Sequence, residues 1–280
     1  MRELSLFSGI GGGIYGSLIL GWETAAYVEK DEYCQAVIRQ RIADGWFHQG
    51  NIYGDIAEFN RHHAAEYAGT IDVLTGGFPC QPFSLAGKRK GADDERYLFA
   101  EIVKTIEVVQ PRICFFENVP GLLTSPAVIE IYRTLSKLGY RPKPPLVLGS
   151  ADCGNIHKRE RVWIYAARQD SDHRRERIQR VRTGEIQGQP GISRSESIRR
   201  FEDILCQPDI PDPLFCGVDD EFPDWQQRLK AVGNGQDPIV MATAFNLLHD
   251  YPARHGHDPS IFLKKEVKNE IVSKRRSNTG

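Results

Sequence analysis

Six short apolar or β-branched runs punctuate the first 168 residues: Glu3 to Phe7, Ala25 to Glu29, Asp72 to Leu74, Arg112 to Glu117, Pro145 to Leu148 and Arg161 to Ala166. Helical patterns lie between them, over Asp31 to Ile42, Ala100 to Val109 and Ala127 to Leu138. Strands this short and this uniformly apolar need cover on both faces, and helices alternating with them supply it. The alternation predicts an α/β fold, a doubly wound and mostly parallel sheet of Rossmann-like form. No apolar stretch approaches the roughly 20 residues that cross a bilayer, and no cleavable signal pattern follows Met1. A cytoplasmic protein without membrane contact is expected.

Charge changes along the chain more than its total suggests. The 280 residues carry a formal net charge of −1, which excludes a uniformly basic nucleic-acid coat. Yet residues 157–200 hold twelve Lys or Arg against six acids, a local excess of +6, and 201–225 holds eight acids with no Lys or Arg. Apolar periodicity fades after Gln169 and returns within 226–250. The expected organisation is a catalytic domain over 1–168, a small loop-rich region over 169–225, a return to the first domain over 226–250 and a basic tail over 251–280. The six cysteines, Cys34, Cys80, Cys114, Cys153, Cys206 and Cys216, form no C-x-x-C pair. That spacing argues against a zinc site or a disulfide framework, so no metal is expected.

Several motifs fall where the predicted strands end. Ser8-Gly9-Ile10-Gly11-Gly12-Gly13 follows the first strand as a tight turn and opens a helix near Ile14, a construction that aims helix amides at a ligand. Glu29 closes the second strand, where a carboxylate suits ribose hydroxyls, so the pair indicates a nucleoside-containing cofactor. Asp55-Ile56 adds an acid for an adenine amino group and an apolar face beside it, although Asp55 serves equally as a helix N-cap. Gly76-Gly77-Phe78-Pro79-Cys80-Gln81-Pro82-Phe83-Ser84 follows a buried strand, and its two prolines stiffen the loop that carries the Cys80 thiol, the candidate nucleophile. Glu117 follows Cys-Phe-Phe, an apolar setting that raises a carboxyl pKa and lets it hold a proton. In His157-Lys158-Arg159-Glu160-Arg161, period-two spacing points Arg159 and Arg161 the same way. Gly233-Asn234-Gly235 precedes the last helical pattern.

These pieces, in this order, resemble the cytosine-5 DNA methyltransferase family over roughly residues 3–167 and 229–249. Leu6-Phe7-Ser8-Gly9-Ile10-Gly11-Gly12 is similar to the family's cofactor loop, Phe78-Pro79-Cys80-Gln81 to its catalytic loop and Glu117-Asn118-Val119 to its acid motif. Lys158-Arg159-Glu160-Arg161 is similar to its arginine motif, and Gly233-Asn234-Gly235 to its late cofactor motif. The resemblance implies transfer of a methyl group from S-adenosyl-L-methionine to C5 of a cytosine flipped out of double-stranded DNA, through a covalent bond between Cys80 and C6. It implies Cys80, Glu117, Arg159 and Arg161 as catalytic residues. Phe7, Gly9, Ile10, Gly12, Glu29, Asp55, Ile56, Pro79, Leu98 and Asn234 are implied to hold the cofactor. Lys88, Arg89 and Lys90 resemble a loop that closes over the flipped base. Two positions depart from the pattern: Ser5 stands where Asp is usual and His157 where Gln is common.

A monomer of bacterial or phage-encoded type is expected, and a cognate restriction endonuclease is compatible with the family. The motifs leave open an RNA cytosine-5 methyltransferase, a catalytically silent DNA-binding relative and a nicotinamide-dependent dehydrogenase. Neither the target sequence nor the choice between DNA and RNA is readable from them. On the DNA reading, the +6 block is the face for phosphates. Replacing Arg174, Arg175 and Arg177 with Ala should weaken DNA binding and reduce the slope of log affinity against log salt by as much as about 2.7. An unchanged slope in a salt titration would refute that assignment.

Overall fold

The computed structural model describes residues 1–78, 95–155, 158–168 and 235–250, with side chains from Leu98 onward in the second span. All of these belong to one compact unit, 1–171 together with 235–280. Its chain order is β1 (Arg2–Leu6), α1 (Gly12–Ile19), β2 (Glu23–Val28), α2 (Glu32–Ala43), β3 (Asn51–Tyr53), α3 (Ile56–His62), β4 (Val73–Gly77), α4 (Glu95–Val109), β5 (Ile113–Asn118), α5 (Pro126–Lys137), β6 (Tyr140–Pro142), β7 (Leu146–Leu148), β8 (Arg161–Arg168) and α6 (Pro238–Asp250).

The sheet runs in the order β3-β2-β1-β4-β5-β8-β6, and β7 also pairs with β8. Strands β1 to β5 are mutually parallel, whereas β8 is antiparallel to β5, β6 and β7. The expected doubly wound, mostly parallel α/β fold is therefore present. The predicted strands each match an observed one within a few residues, and β3, β6 and α3 are additions. Residues 169–234, which include the expected 169–225 region, and the 251–280 tail lie outside the described residues.

Side-chain alternation sorts the strands into two cores. Leu4, Leu6, Leu74, Cys114, Phe116, Val162 and Ile164 face one side, where Ile102 and Ile106 of α4 and Val128, Ile131 and Leu135 of α5 cover them. Val73, Ile113, Phe115, Trp163 and Tyr165 face the other, where Val240, Met241, Ala244, Phe245 and Leu248 of α6 cover them. Phe115 stacks on Trp163 with ring centroids 5.3 Å apart, and Phe245 meets Phe115 edge-on at the same separation. Lys143 fastens the end of α6: its Nζ donates to the carbonyls of Leu248 and His249 and lies 4.7 Å over the Tyr165 ring. Burial pushes the Lys143 ammonium down to about 8. Cys34, Cys114 and Cys153 are buried free thiols.

One buried acid was not singled out by sequence. Glu3 is 1 % exposed, and its two carboxyl oxygens accept from Thr24 Oγ1 at 2.7 Å and Thr75 Oγ1 at 2.6 Å. Burial raises its pKa, and hydrogen bonds from Thr75, Thr24 and Ser17 only partly oppose that. A carboxyl whose folded pKa lies above its unfolded one stabilises fully below the unfolded value, and the contribution is lost as pH rises through the folded one. Glu3→Gln should therefore flatten the fall in melting temperature between acid and neutral pH. Glu3→Ala, which strands two hydroxyls and leaves a cavity, should cost about 2–3 kcal/mol. Identical pH dependence of melting in the native protein and Glu3→Gln would overturn the upward shift.

Candidate functional site

Parallel strands share a direction, so β1, β2, β4 and β5 deliver their last residues to one edge of the sheet. The register makes this concrete: Leu6 pairs with Val28 on one side and Gly76 on the other, and Gly77 pairs with Glu117. Because β8 is antiparallel, its first residues arrive at the same edge, with Asn118 opposite Val162.

The turn after β1 uses left-handed backbone at Phe7, Gly9 and Gly11, with φ of 51°, 54° and 94°. Gly9 and Gly11 accept that conformation without the steric cost that a side chain carries at Phe7. No side chain caps α1 at Gly11. Glu29 holds the turn, accepting from the Gly9 amide at 2.7 Å through one oxygen and from the Asp31 amide at 2.8 Å through the other. An ionised carboxylate has about four lone-pair sites, so capacity for a ligand hydroxyl remains. Asp55 caps α3 by accepting from the Ala57 amide at 2.8 Å, and it lies 3.7 Å from Lys30 Nζ. Ile56 is 4 % exposed within the first core, and Phe7 and Leu98 pack against that core while partly exposed. Ile10 is half-buried on the turn. An uncapped helix start behind a glycine turn, with an acid at the neighbouring strand end, fits a nucleoside cofactor.

The second half of the site centres on Glu117, which is 8 % exposed. Strand alternation puts Glu117, like Phe115, on the α6 side of the sheet, together with Arg161 and Trp163 of β8. Arg161 Nε lies 2.7 Å from Glu117 Oε1. Burial pushes the Glu117 carboxyl up, and the charges of Arg161 and Arg159, with hydrogen bonds from Arg161 and Gln236, pull it back without cancelling the rise. Burial, then the charge of Arg161, lowers Arg159.

Arg159 reaches this cluster by a different route from the one its spacing predicts. Strand β8 starts at Arg161, and Arg159 sits before it with φ of 28°. The chain turns there because Gly149 packs onto the Lys158 carbonyl, where a Cβ would overlap. The guanidinium then donates through Nη2 to the carbonyl of Gly235.

Two contributors were not read from sequence. Asn118 Nδ2 donates to the Phe78 carbonyl at 3.0 Å, tying the end of β5 to the start of the segment that leads to Cys80. Gln236, in the link before α6, reaches the glycine turn: a Cβ on Gly12 or Gly13 would overlap its backbone or its side chain. Only the unreadable contact across more than two hundred residues could have revealed it. Pro79, Cys80, Lys88, Arg89, Lys90, His157 and Asn234 lie outside the described residues. Among the described residues no three His, Cys, Asp or Glu side chains could hold a metal ion, and no helix is long and apolar enough to cross a membrane.

Fold and site together define a doubly wound α/β protein with a glycine turn at the sheet edge that fits a nucleoside, and a buried acid paired to arginine beside it. The profile of the C-5 cytosine-specific DNA methylases matches residues 1–234, and the chain belongs to that family. The type II methyltransferase M.HgiBI of Herpetosiphon aurantiacus is 37 % identical over 290 aligned positions, covering 99 % of this chain and 61 % of that protein. The type II methyltransferase M.AquIA of Picosynechococcus is 34 % identical over 60 % of this chain and 72 % of its own. M.Eco47II of Escherichia coli is 34 % identical over 60 % of this chain. The chain thus spans 39 % of the length of M.Eco47II and 61 % of that of M.HgiBI.

The close approach of Gln236 gives a direct test. Gly12→Ala should destabilise the protein by about 1–3 kcal/mol, because backbone rather than a movable side-chain tip meets the new methyl group. Gly121→Ala, which opens onto free space, should change thermal stability little. Equal melting temperatures for both variants would refute the packing argument.

Proposed function

We propose that the protein transfers a methyl group to C5 of cytosine in double-stranded DNA. The observation that carries this reading is the buried Glu117–Arg161 pair at the sheet edge, where Asn118 also donates to the carbonyl of Phe78, two residues before Cys80 in the sequence. Membership of the C-5 cytosine-specific family and likeness to type II methyltransferases support the choice of substrate.

The chemistry follows from a weakness of the base. C5 of cytosine is a poor nucleophile, and addition of the Cys80 thiolate to C6 makes C5 enamine-like. Glu117, its proton affinity raised by burial, holds a proton at ring N3 and offsets the electron density that collects there. Arg161 steadies that carboxyl and presents its remaining donors to the O2 side, and Arg159 adds positive potential to the same pocket. S-adenosyl-L-methionine, when bound, supplies the electrophilic methyl group. Phe7, Gly9, Ile10, Gly12, Glu29, Asp55, Ile56, Pro79, Leu98 and Asn234 would hold it, on the turn and strand ends that fit a nucleoside. Loss of the C5 proton and departure of Cys80 then restore the aromatic ring. The target base must leave the helix to meet these groups. The region 169–225 serves as the DNA-recognition segment on this reading. The protein acts as a cytoplasmic monomer, and a restriction endonuclease partner is compatible with this reading.

Incubation with labelled S-adenosyl-L-methionine and either unmodified duplex DNA or transfer RNA tests the proposal, followed by sequencing for 5-methylcytosine. Label in duplex DNA is expected, Cys80→Ser should abolish it, and Glu117→Gln should lower kcat by about 10²–10⁴-fold. Label confined to RNA, DNA binding without transfer, or an active Cys80→Ser variant would each overturn it.

A further inference from the structure

The residue that joins the two halves of the site is Gln236, in the link before α6. Its backbone carbonyl lies against Gly12 and its side-chain Oε1 against Gly13, both at the start of α1. The other end of the same carboxamide reaches the acid: a Cβ on Gly77 would stand 2.8 Å from Gln236 Nε2 and 2.7 Å from Glu117 Oε2. Gln236 hydrogen-bonds Glu117, opposing the effect of burial on the carboxyl. An amide nitrogen can only donate, so this bond favours the carboxylate form and orients it.

We propose that Gln236 is the positioning residue of Glu117, its carboxamide holding the acid in line with the glycine turn. Arg161 cannot do this alone. It approaches Glu117 Oε1 from β8, whereas Gln236 lies beside Oε2 and Gly77. The carboxamide also makes mechanical contact with the one segment that a nucleoside cofactor must touch. A shift of Gly12 or Gly13 therefore moves the donor on Glu117. The segment is itself fixed: Asp237 caps α6 by accepting from the amides of Ile239 at 3.0 Å and Val240 at 3.3 Å, and its second oxygen accepts from Ser150 Oγ at 2.6 Å. Gln236 is held on one side by that cap and on the other by Arg159, whose guanidinium donates to the Gly235 carbonyl.

This inference rests on the methyltransferase reading for its consequence in catalysis, but not for its direct test. Carboxyl carbon NMR of protein with labelled glutamate, assigned with Glu117→Gln, follows the Glu117 titration without any reaction. Gln236→Met keeps the bulk and removes the donor, and it should move the Glu117 midpoint upward. Gly77→Ala, whose methyl group wedges between Gln236 and Glu117, should move it the same way with the Gln236 side chain left unsubstituted. In methyl transfer, Gln236→Met should lower kcat about tenfold with little change in KM for DNA, the loss of one hydrogen bond to a charged group. A Glu117 midpoint unchanged in folded Gln236→Met, or in Gly77→Ala should the first variant not fold, would overturn the proposal. A native protein that titrates as expected but methylates nothing would overturn the function and leave the positioning role standing.

Discussion

Close approach of two helices distant in sequence governs this molecule. α1 begins with Gly12 and Gly13 and continues to Gly16, and α6 with its preceding link lies directly against them. A methyl group on Gly16 would stand 2.6 Å from Met241 Sδ and 3.0 Å from the Pro238 carbonyl. Backbone packed this closely leaves no room for a side chain between the elements, so the small residues of α1 serve the join as well as the turn. That contact brings Gly235 within reach of Arg159 and Gln236 within reach of Glu117. It also closes the second core over Phe115 and Trp163.

The site inherits its electrostatics from that closure. Glu117 leaves β5 on the face that α6 covers, so burial raises its proton affinity, while two arginines and one carboxamide restrain the rise. A buried carboxyl needs such partners, since an isolated charge there would neutralise. The same sheet face hides a second acid, Glu3, which has hydroxyl donors and no cation among its hydrogen-bond partners. Two carboxyls on one face thus have different settings: one is satisfied by neutral donors and the other is held between charges.

The sheet was legible because its strands are continuous apolar runs, and β1, β2, β4, β5, β7 and β8 stand close to their expected places. β3 and α3 escaped notice: β3 has three residues, none of them fully buried, and α3 is only seven residues long. Glu29 and Glu117 were readable from their positions at strand ends, where topology alone sets the direction. Arg159 was readable as part of the cluster but not in its conformation, since period-two spacing presumes an extended chain and Gly149 instead lets the chain turn beneath Lys158. Asp55 carried two readings from the outset, and its hydrogen bond to the Ala57 amide gives it the capping one, leaving a ligand contact as an addition. The contacts of Gln236 and the bond from Asn118 to Phe78 were beyond reach, because the partners lie far off in sequence; Asn118 stood in the Glu117-Asn118-Val119 motif, but nothing local marks that bond.

The place of α6 in the chain has a consequence for synthesis. Residues up to 168 emerge from the ribosome with all eight strands present, yet Trp22, Phe115, Trp163 and Tyr165 lose their cover until residues 238–250 follow. Domains form as units during translation at about 5–20 residues per second. The 69 residues between Arg168 and Pro238 therefore impose an interval of several seconds during which this aromatic sheet face lacks α6. Until α6 arrives, Glu117 has neither its apolar roof nor its amide donor.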